Sequence, residues 1–473
     1  MQEKSVITRR ITTAAGVYAP GHLGELTQIV DFALVDAVLE ETGAGEKRLR
    51  LLPSRVVVYL VLALALFQDC SYRSVWGKLT AAIDGLAPAR PAASSLARAR
   101  RRVGAAPLRR LFEILAGPVA DRGQAGSFYR GLRTVALDGT HLHTPDEKQI
   151  TWHYPKRSGD TMEFGYPLLR LLAVVECGTR AVLAAAFGPE TSGELPYARR
   201  LLTCLNPSML LLADAAFDAV EFLREVAGTG AQFLVRSSAS RCPTPQRRLP
   251  DGSYLARLSA RYRAGQGYHS LPVRVIEAWI TVTLADGTTR TEPWRLITSL
   301  LDHERHPAGD LVELYHRRWQ VETTYLSIKA TMLDGRVLRS RSIPGLDQEV
   351  YALLATYQAL IRTAADAVST RPDLSMERIS FTVLLQAAAD QVTTATGIHT
   401  PEPDNPLLGP IGRAVLDNLL PATRRQRVKA RSRKNTTSKY APNAGKHPQT
   451  TQTYTFTTEI HIMENGLAAR SRH

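Results

Sequence analysis

Five consecutive apolar residues, Met209–Ala213, stop at a carboxylate, Asp214. So short an apolar run, with no polar alternation, is what a strand buried on both faces requires. It has similar company. Thr134–Leu137 reads as a short strand ending at Asp138-Gly139-Thr140, and Leu168–Val175 and Ala181–Phe187 are further strands joined at Cys177-Gly178-Thr179. Glu194–Cys204 is a helical stretch, Phe217–Ala227 another, and Gln232–Val235 a strand. Three strands followed by helix, strand, helix and strand predict an α/β core. Residues 237–293 interrupt it with Thr, Val, Tyr and turn pairs and with alternation over Leu271–Leu284, a β-rich insertion. Trp294–Leu300 returns as a strand, and Leu311–Leu333 reads as one long helix.

The segments before the core are helical. Leu26–Glu41 carries apolar residues at helical spacing, and Pro53–Gln68 is apolar almost all round, as a core helix is. Its run Val56–Phe67 is the longest apolar stretch in the chain, twelve residues against the roughly 20 that span a bilayer. The first ten residues contain no apolar h-region, so a cytoplasmic protein is expected. Ser71–Ile83 is a further helix. After Pro88 and Pro91, a helix through Leu96–Val103 carries Arg98, Arg100, Arg101 and Arg102, compatible with helix-turn-helix binding to DNA. Beyond the core, Leu346–Ala367 and Ser380–Thr394 are helical, and Arg424–Lys439 is a basic, solvated segment.

The charge is split along the chain. Of a net +15, residues 47–110 carry an excess of eleven positive charges and residues 411–473 an excess of nine, so the middle is mildly acidic. Basic ends suit a phosphate backbone, and an acidic middle suits carboxylates that hold a metal. Four dispersed cysteines without a CxxC pair fit reduced thiols. No GxxxxGK[ST] loop is present, which removes an ATP-driven reading. His141-x-His143 lacks a third ligand at zinc spacing and reads as a surface or DNA-adjacent pair. Ser192-Gly193-Glu194 has no nucleophile elbow.

Three carboxylates stand where chemistry gathers. Asp138 and Asp214 follow core strands, whose carboxyl ends collect functional groups in open sheets. Glu322 lies on the helix after the insertion. On a helical wheel Tyr315, Arg318, Glu322 and Lys329 fall within roughly one 60° wedge beside an apolar stripe of Leu314, Val321, Tyr325, Ile328 and Met332. Such a wedge could place a metal ligand, Glu322, between phosphate-gripping Arg318 and Lys329. It could equally be an ordinary amphipathic helix with an Arg318–Glu322 ion pair.

The pattern Tyr315-x2-Arg318-x3-Glu322-x6-Lys329 resembles the Y-R-E-K signature of the insertion-sequence-four family of bacterial transposases. Asp138-Gly139-Thr140 is similar to that family's first catalytic Asp, and Leu211-Leu212-Ala213-Asp214 to its second. The long Asp214–Glu322 gap is similar to its β insertion, and the likeness runs almost end to end. What the resemblance implies is a DDE transposase: an RNase H-like mixed α/β core carrying the β-rich insertion, an α-helical N-terminal domain and a helical, basic C-terminal region. The divisions expected are 1–125 (DNA binding), 130–236 (core, first part), 237–293 (insertion), 294–370 (core, second part) and 371–473 (C-terminal region and tail). Asp138, Asp214 and Glu322 would hold two Mg2+ ions, with Mn2+ able to substitute. Tyr315, Arg318 and Lys329 would grip DNA phosphates, and Trp294 would stack a flipped base, with Trp279 second. Arg98, Arg101 and Arg102 and, in the tail, Arg424, Arg425, Arg427, Lys429 and Arg431 are the further expected DNA contacts. The partners are double-stranded DNA (terminal inverted repeats and target) and a second subunit. The place of action is the bacterial cytoplasm at the nucleoid. The reaction is cut-and-paste transposition through hydrolysis, a hairpin and strand transfer. One departure stands out: the second Asp continues as Ala215-Ala216-Phe217 where family members often have Arg-Gly-Phe, so a phosphate-contacting arginine is missing. A catalytically inactive, DNA-binding descendant is the alternative.

Overall fold

The computed structural model describes residues 22–421 except 47, 49, 83–88, 159–162, 239, 262–267, 285–288, 372 and 395–407, together with segments 11–13, 16–18, 427–429 and 453–463. Its spine is one mixed sheet. Five strands form its first half: β1 (Leu132–His143), β2 (Leu168–Glu176), β3 (Val182–Pro189), β4 (Met209–Ala213) and β5 (Gln232–Arg236). They lie in the order β3-β2-β1-β4-β5. The first three pair antiparallel, while β1 with β4 and β4 with β5 are parallel. That order and those directions are the RNase H-like arrangement, and they follow from the pattern of three strands and then two crossover helices. All five residues of β4 are buried, as its unbroken apolar run requires.

The segment expected as an insertion does not stand apart from this sheet. Strands β6 (Tyr254–Arg261), β7 (Tyr268–Leu284) and β8 (Thr289–Thr298) extend it, β8 pairing antiparallel with β5. The boundary expected at 293/294 therefore falls inside a strand. A further strand, β9 (Thr453–Ile462), takes the free half of β7's edge, Ala278–Leu284, next to the half that β6 covers. The tail reading foresaw no such strand. Alternation in Thr453–Ile462 is its only sequence signal, and the β7 edge that receives it lies some 170 residues away in the chain.

Helices cover both faces. Before the core come α1 (Phe32–Glu41), α2 (Ser54–Leu66), α3 (Tyr72–Leu79), α4 (Ala93–Val103) and α5 (Ala106–Leu115). Helix α2 is buried from Val56 to Leu66. It packs on the later helix α11 (Ile343–Ser369), so an apolar stretch of this length serves as the centre of a helical layer. Among the described residues no helix is long and apolar enough to cross a membrane. A short helix, α6 (Lys148–His153), follows β1; α7 (Glu194–Leu201) and α8 (Val220–Gly228) cover the other face.

Two expected elements differ. Strand β1 does not end at Asp138 but continues to His143. Gly139 is there for close approach and not for a turn: a Cβ on it would lie 2.7 Å from Glu194 Oε1. The single helix over 311–333 is instead α9 (Ala308–His316), a turn at 317–318, α10 (Trp319–Leu326) and a π-helical turn, Ser327–Met332. The wheel assumed an unbroken period; the break changes which faces its four polar residues present.

Candidate active site

Asp138 points from the middle of β1 to the sheet face covered by α10. Its Oδ2 accepts a hydrogen bond from Arg318 Nη1 at 3.1 Å, and the same guanidinium reaches Glu322 Oε1 through Nη2 at 3.4 Å. Arg318 stands at the N-cap of α10 and Glu322 lies one turn on, so the i,i+4 spacing aims both side chains at the strand. Asp214 ends β4, whose register sets Ala213 beside Leu137. Its side chain accepts from Ala216 N at 2.9 Å and so starts the turn Ala215–Phe217. Burial pushes the Asp138 carboxyl up to about 6. Arg318 and the Gly139 N–H oppose that rise, while the negative charges of Asp214 and Glu322 add to it. The three acids thus share one electrostatic neighbourhood.

Lys329 Nζ donates to Thr140 Oγ1 at 3.2 Å, and Tyr325 OH donates to the Asp138 carbonyl at 2.6 Å. Both contacts clamp the helix segment onto the strand that bears Asp138. Tyr315, before the break at 317–318, still neighbours Arg318 and Asp214, whose charges act on its phenol. It is buried, its OH donates to the Ala213 carbonyl at 3.1 Å, and burial pushes its phenol up to about 12. It lies at the strand end that carries Asp214. Trp294 packs edge-on against Tyr315 with ring centroids 5.4 Å apart, and the Arg236 guanidinium lies 5.3 Å from the Trp294 ring.

Sequence reasoning missed Glu194, Thr140 and Tyr325. Glu194 starts α7, is bound by Arg170 at 2.7 Å, and is held above its usual range by burial against the pull of Arg170, with Asp214 adding to the rise. Its only sequence signal was a Gly-Glu pair opening a helix. His141 and His143 do alternate onto one side. His141 lies 3.2 Å from Glu190, and burial lowers its imidazole to about 4. His143 is exposed beside Tyr166, 5.9 Å between rings.

The expected DNA-contacting arginines divide. Arg98 and Arg101 are exposed on α4. Arg102 is occupied by Glu46 at 3.1 Å and by the Leu52 carbonyl. Arg424, Arg425 and Arg431 lie outside the described residues; Arg427 and Lys429 sit on a short strand paired with β9.

Among the described residues no three His, Cys, Asp or Glu side chains are gathered into a metal-holding group. Instead, two carboxylates converge on one cation, Arg318. Oxygen donors of this kind, without thiol or imidazole among them, suit a hard divalent ion.

Known proteins resemble this chain over most of its length. The insertion element 4 transposase N-terminal family matches residues 20–113, and the transposase DDE domain family matches residues 129–358, which include all three acids. The chain is 26% identical over 338 residues to the transposase InsG for insertion sequence element IS4 of Escherichia coli strain K12, covering 71% of this chain and 75% of that protein. It is 29% identical over 178 residues to InsZ of the same strain, covering 37% of this chain and 58% of that one. A piggyBac transposase in its synaptic complex with hairpin DNA aligns over 92% of this chain and 94% of that chain, at 11% identity and a TM-score of 0.45, and at that score it adds nothing to the fold described above. The DDE-domain match spans Asp138, Asp214 and Glu322 and the N-terminal match spans the helices before them, so the chain belongs to the insertion-sequence-four family of DDE transposases, and its function is that of a DNA transposase.

Proposed function

We propose that Asp138, Asp214 and Glu322 are the catalytic carboxylates of cut-and-paste transposition and the ligands of two Mg2+ ions, for which Mn2+ can substitute. The family works with a divalent metal. Bound at these acids, the ions would activate the attacking oxygen and stabilise the leaving one. The observation that carries the reading is the convergence of Asp138 and Glu322 on one positive charge, with Asp138 also feeling Asp214.

The chain's own residues supply the rest. Arg318 holds Asp138 and Glu322 in place and, with Lys329, offers positive charge to a phosphate beside them. Tyr325 fixes the strand under Asp138, and Tyr315 supports the end of β4, so its part in gripping DNA is indirect. Trp294, beside Tyr315, is the proposed stacking partner of a flipped base, an aromatic contact worth about 1–3 kcal/mol per base. Hydrolysis at the element end would release a 3′-OH. That hydroxyl would exchange one phosphodiester for another on the opposite strand, closing a hairpin, and after reopening would join target DNA. Residues 1–125 are the proposed DNA-binding unit, with Arg98 and Arg101 on phosphates and Arg102 reaching one only after leaving Glu46. Arg424, Arg425, Arg427, Lys429 and Arg431 are proposed to hold flanking backbone. Two subunits pair the inverted repeats, at the nucleoid in the cytoplasm.

The test is a denaturing gel of labelled DNA carrying the inverted repeats that flank this gene. A nick at the repeat boundary, then a hairpin, both in Mg2+ or Mn2+ and neither in EDTA, is the expected result. Cutting without a hairpin removes that step. Tight binding with no cutting in either metal overturns the catalytic reading.

A further inference from the structure

The site already described leaves one block of charge unused. Residues 241–274 hold seven arginines and a single acid, Asp251, inside a middle that is mildly acidic as a whole. Two of the seven are consumed by the fold. Arg241 binds the buried Asp218 at 2.9 Å, and the fully buried Arg274 binds Asp251. Arg247, Arg248 and Arg257 are exposed instead. Arg247 and Arg248 form a two-residue strand at the outer edge of the sheet, and Arg257 lies on β6 beside it. Among the described residues neither Arg247 nor Arg257 makes an ion pair; Arg257 donates to Ser270 Oγ at 3.1 Å. Neither β6 nor β7 as far as Ile276 contains an acid.

The pairing register fixes where these cations stand. Leu137, the residue before Asp138, is level with Ala213 of β4, and Ala213 with Val235 of β5. Val235 is level with Ile297 of β8, Ile297 with Val275 of β7, and Val275 with Tyr254 of β6. Tyr254 pairs with Arg248, which ends the row. The neighbouring row runs from Ala136 to Arg247 in the same way. Residues alternate faces along a strand, so Asp138 shares a face with Ala136, and Arg247 and Arg257 lie on that same face of the twisted sheet. Six strand spacings of about 4.8 Å separate the ends of the row, roughly 29 Å in all. Every step is a hydrogen-bonded ladder, so the arginines ride on a rigid arm at a fixed distance from the first acid.

We propose that Arg247 and Arg257 bind the phosphate backbone of duplex DNA about eight base pairs from the cut, with Arg248 at the edge of the same contact. Base pairs rise about 3.4 Å each, so eight of them span the length of the arm. A face with arginines and no acids suits phosphate oxygens, which a guanidinium grips in pairs. The residues between the cations are small or polar: Ser259, Ser270 and Pro272 are all exposed. The face therefore offers a protein partner no large apolar anchor. This contact is separate from those proposed for the N-terminal helices and the tail. The inference rests on the reading that Asp138 marks the cut, but its test is a binding measurement.

The experiment uses the full chain in EDTA and three DNAs: the inverted repeat with flanking duplex on its outer side, the same repeat extended only on its inner side, and an unrelated duplex offered to protein already holding a pre-cut end. One variant combines Arg247→Ala with Arg257→Ala, the other Arg247→Lys with Arg257→Lys. On at least one DNA the alanine pair is expected to bind about 10-fold more weakly and to flatten the slope of log affinity against log salt by about 1.8, with its melting temperature unchanged. The lysine pair should keep most of the wild-type slope, because a phosphate accepts either cation. On the repeat DNAs a hydroxyl-radical footprint of the alanine pair should lose protection about eight base pairs from the repeat boundary. The DNA on which the loss falls tells flank, element and target apart, and any of the three supports the proposal. Wild-type slope and affinity on all three overturn it, as does protection lost only at the boundary itself. A loss that the lysine pair shares in full would mark a structural role and also overturn it. A wild type that binds through this arm in EDTA but never cuts in Mg2+ leaves the arm standing and defeats the catalytic reading alone.

Discussion

Two arginines, Arg100 buried and Arg318 partly so, sit among acids in this molecule, and they do different things. Arg100, on α4, donates to Gln348 Oε1, Tyr72 OH, Ser340 Oγ and the Gly345 carbonyl, and lies 3.8 Å from Glu349. Glu349 in turn accepts from the N–H groups of Arg339 and Ser340 and from the Ser340 hydroxyl. Donors and acceptors there are matched, and the node ties the N-terminal helices to α11. Arg318 faces two acids and the field of a third, and Asp138 is still pushed up to about 6. The first cluster is a balanced joint. The second holds more negative charge than its own arginine offsets, which is what a cation-binding site needs before the cation arrives. Burial of an arginine marks neither; the balance of charge around it separates them.

The comparison can be broken at its structural end first. Arg100→Ala should cost on the order of 3–5 kcal/mol in denaturant unfolding, because Glu349 is left buried with less compensation. A loss under 1 kcal/mol would show that the node is not the joint described. Its neighbour Arg101, exposed on the same helix, should change stability by less than about 0.5 kcal/mol when replaced by Ala.

The Asp138 end has its own signature. The Asp138 carboxyl is raised from 3.8 to about 6, so between those values the folded chain binds more protons than the unfolded one. Stability from this group is therefore lost as pH rises from about 4 to 6. Asp138→Asn should be more stable than the wild type at pH 7.5, by on the order of 2 kcal/mol in the absence of metal, and should lose that advantage near pH 4. Added Mg2+ should stabilise the wild type and not the variant. A variant less stable than the wild type at pH 7.5 without metal would mean that Asp138 is a structural partner of Arg318, as Glu349 is of Arg100. The smallest expected effect is on DNA: Arg101→Ala should flatten the slope of log affinity against log salt by about 0.9. An unchanged slope would take α4 off the backbone.

Much of this was legible in the sequence. The apolar run of β4 and the strand–helix alternation around it gave the order of the sheet's first half, because burial on both faces leaves a mark that needs no tertiary context. The residue types of the site were legible as well. Their arrangement was less so. Gly139 after Asp138 looks like a turn, and only the approach of Glu194 reveals that the strand runs on. The wheel grouped Tyr315 with Arg318, Glu322 and Lys329 by assuming one helix; a turn at 317–318 breaks that helix, and Tyr315 stays beside Arg318 and Asp214 with its hydroxyl taken up by the Ala213 carbonyl. Strand β9 was hidden because what specifies it is the open edge of β7.

The central claim is that Asp138, Asp214 and Glu322 form one metal-dependent catalytic group that Arg318 holds in place. The most direct test is the cleavage rate of labelled inverted-repeat DNA in Mg2+ by the wild type and by Asp138→Ala, Asp214→Ala and Glu322→Ala, with binding measured alongside in EDTA. Each variant should cut at least about 1,000-fold more slowly while binding within a few fold of the wild type. Normal cutting by any one of the three would contradict the account and remove that residue from the catalytic group.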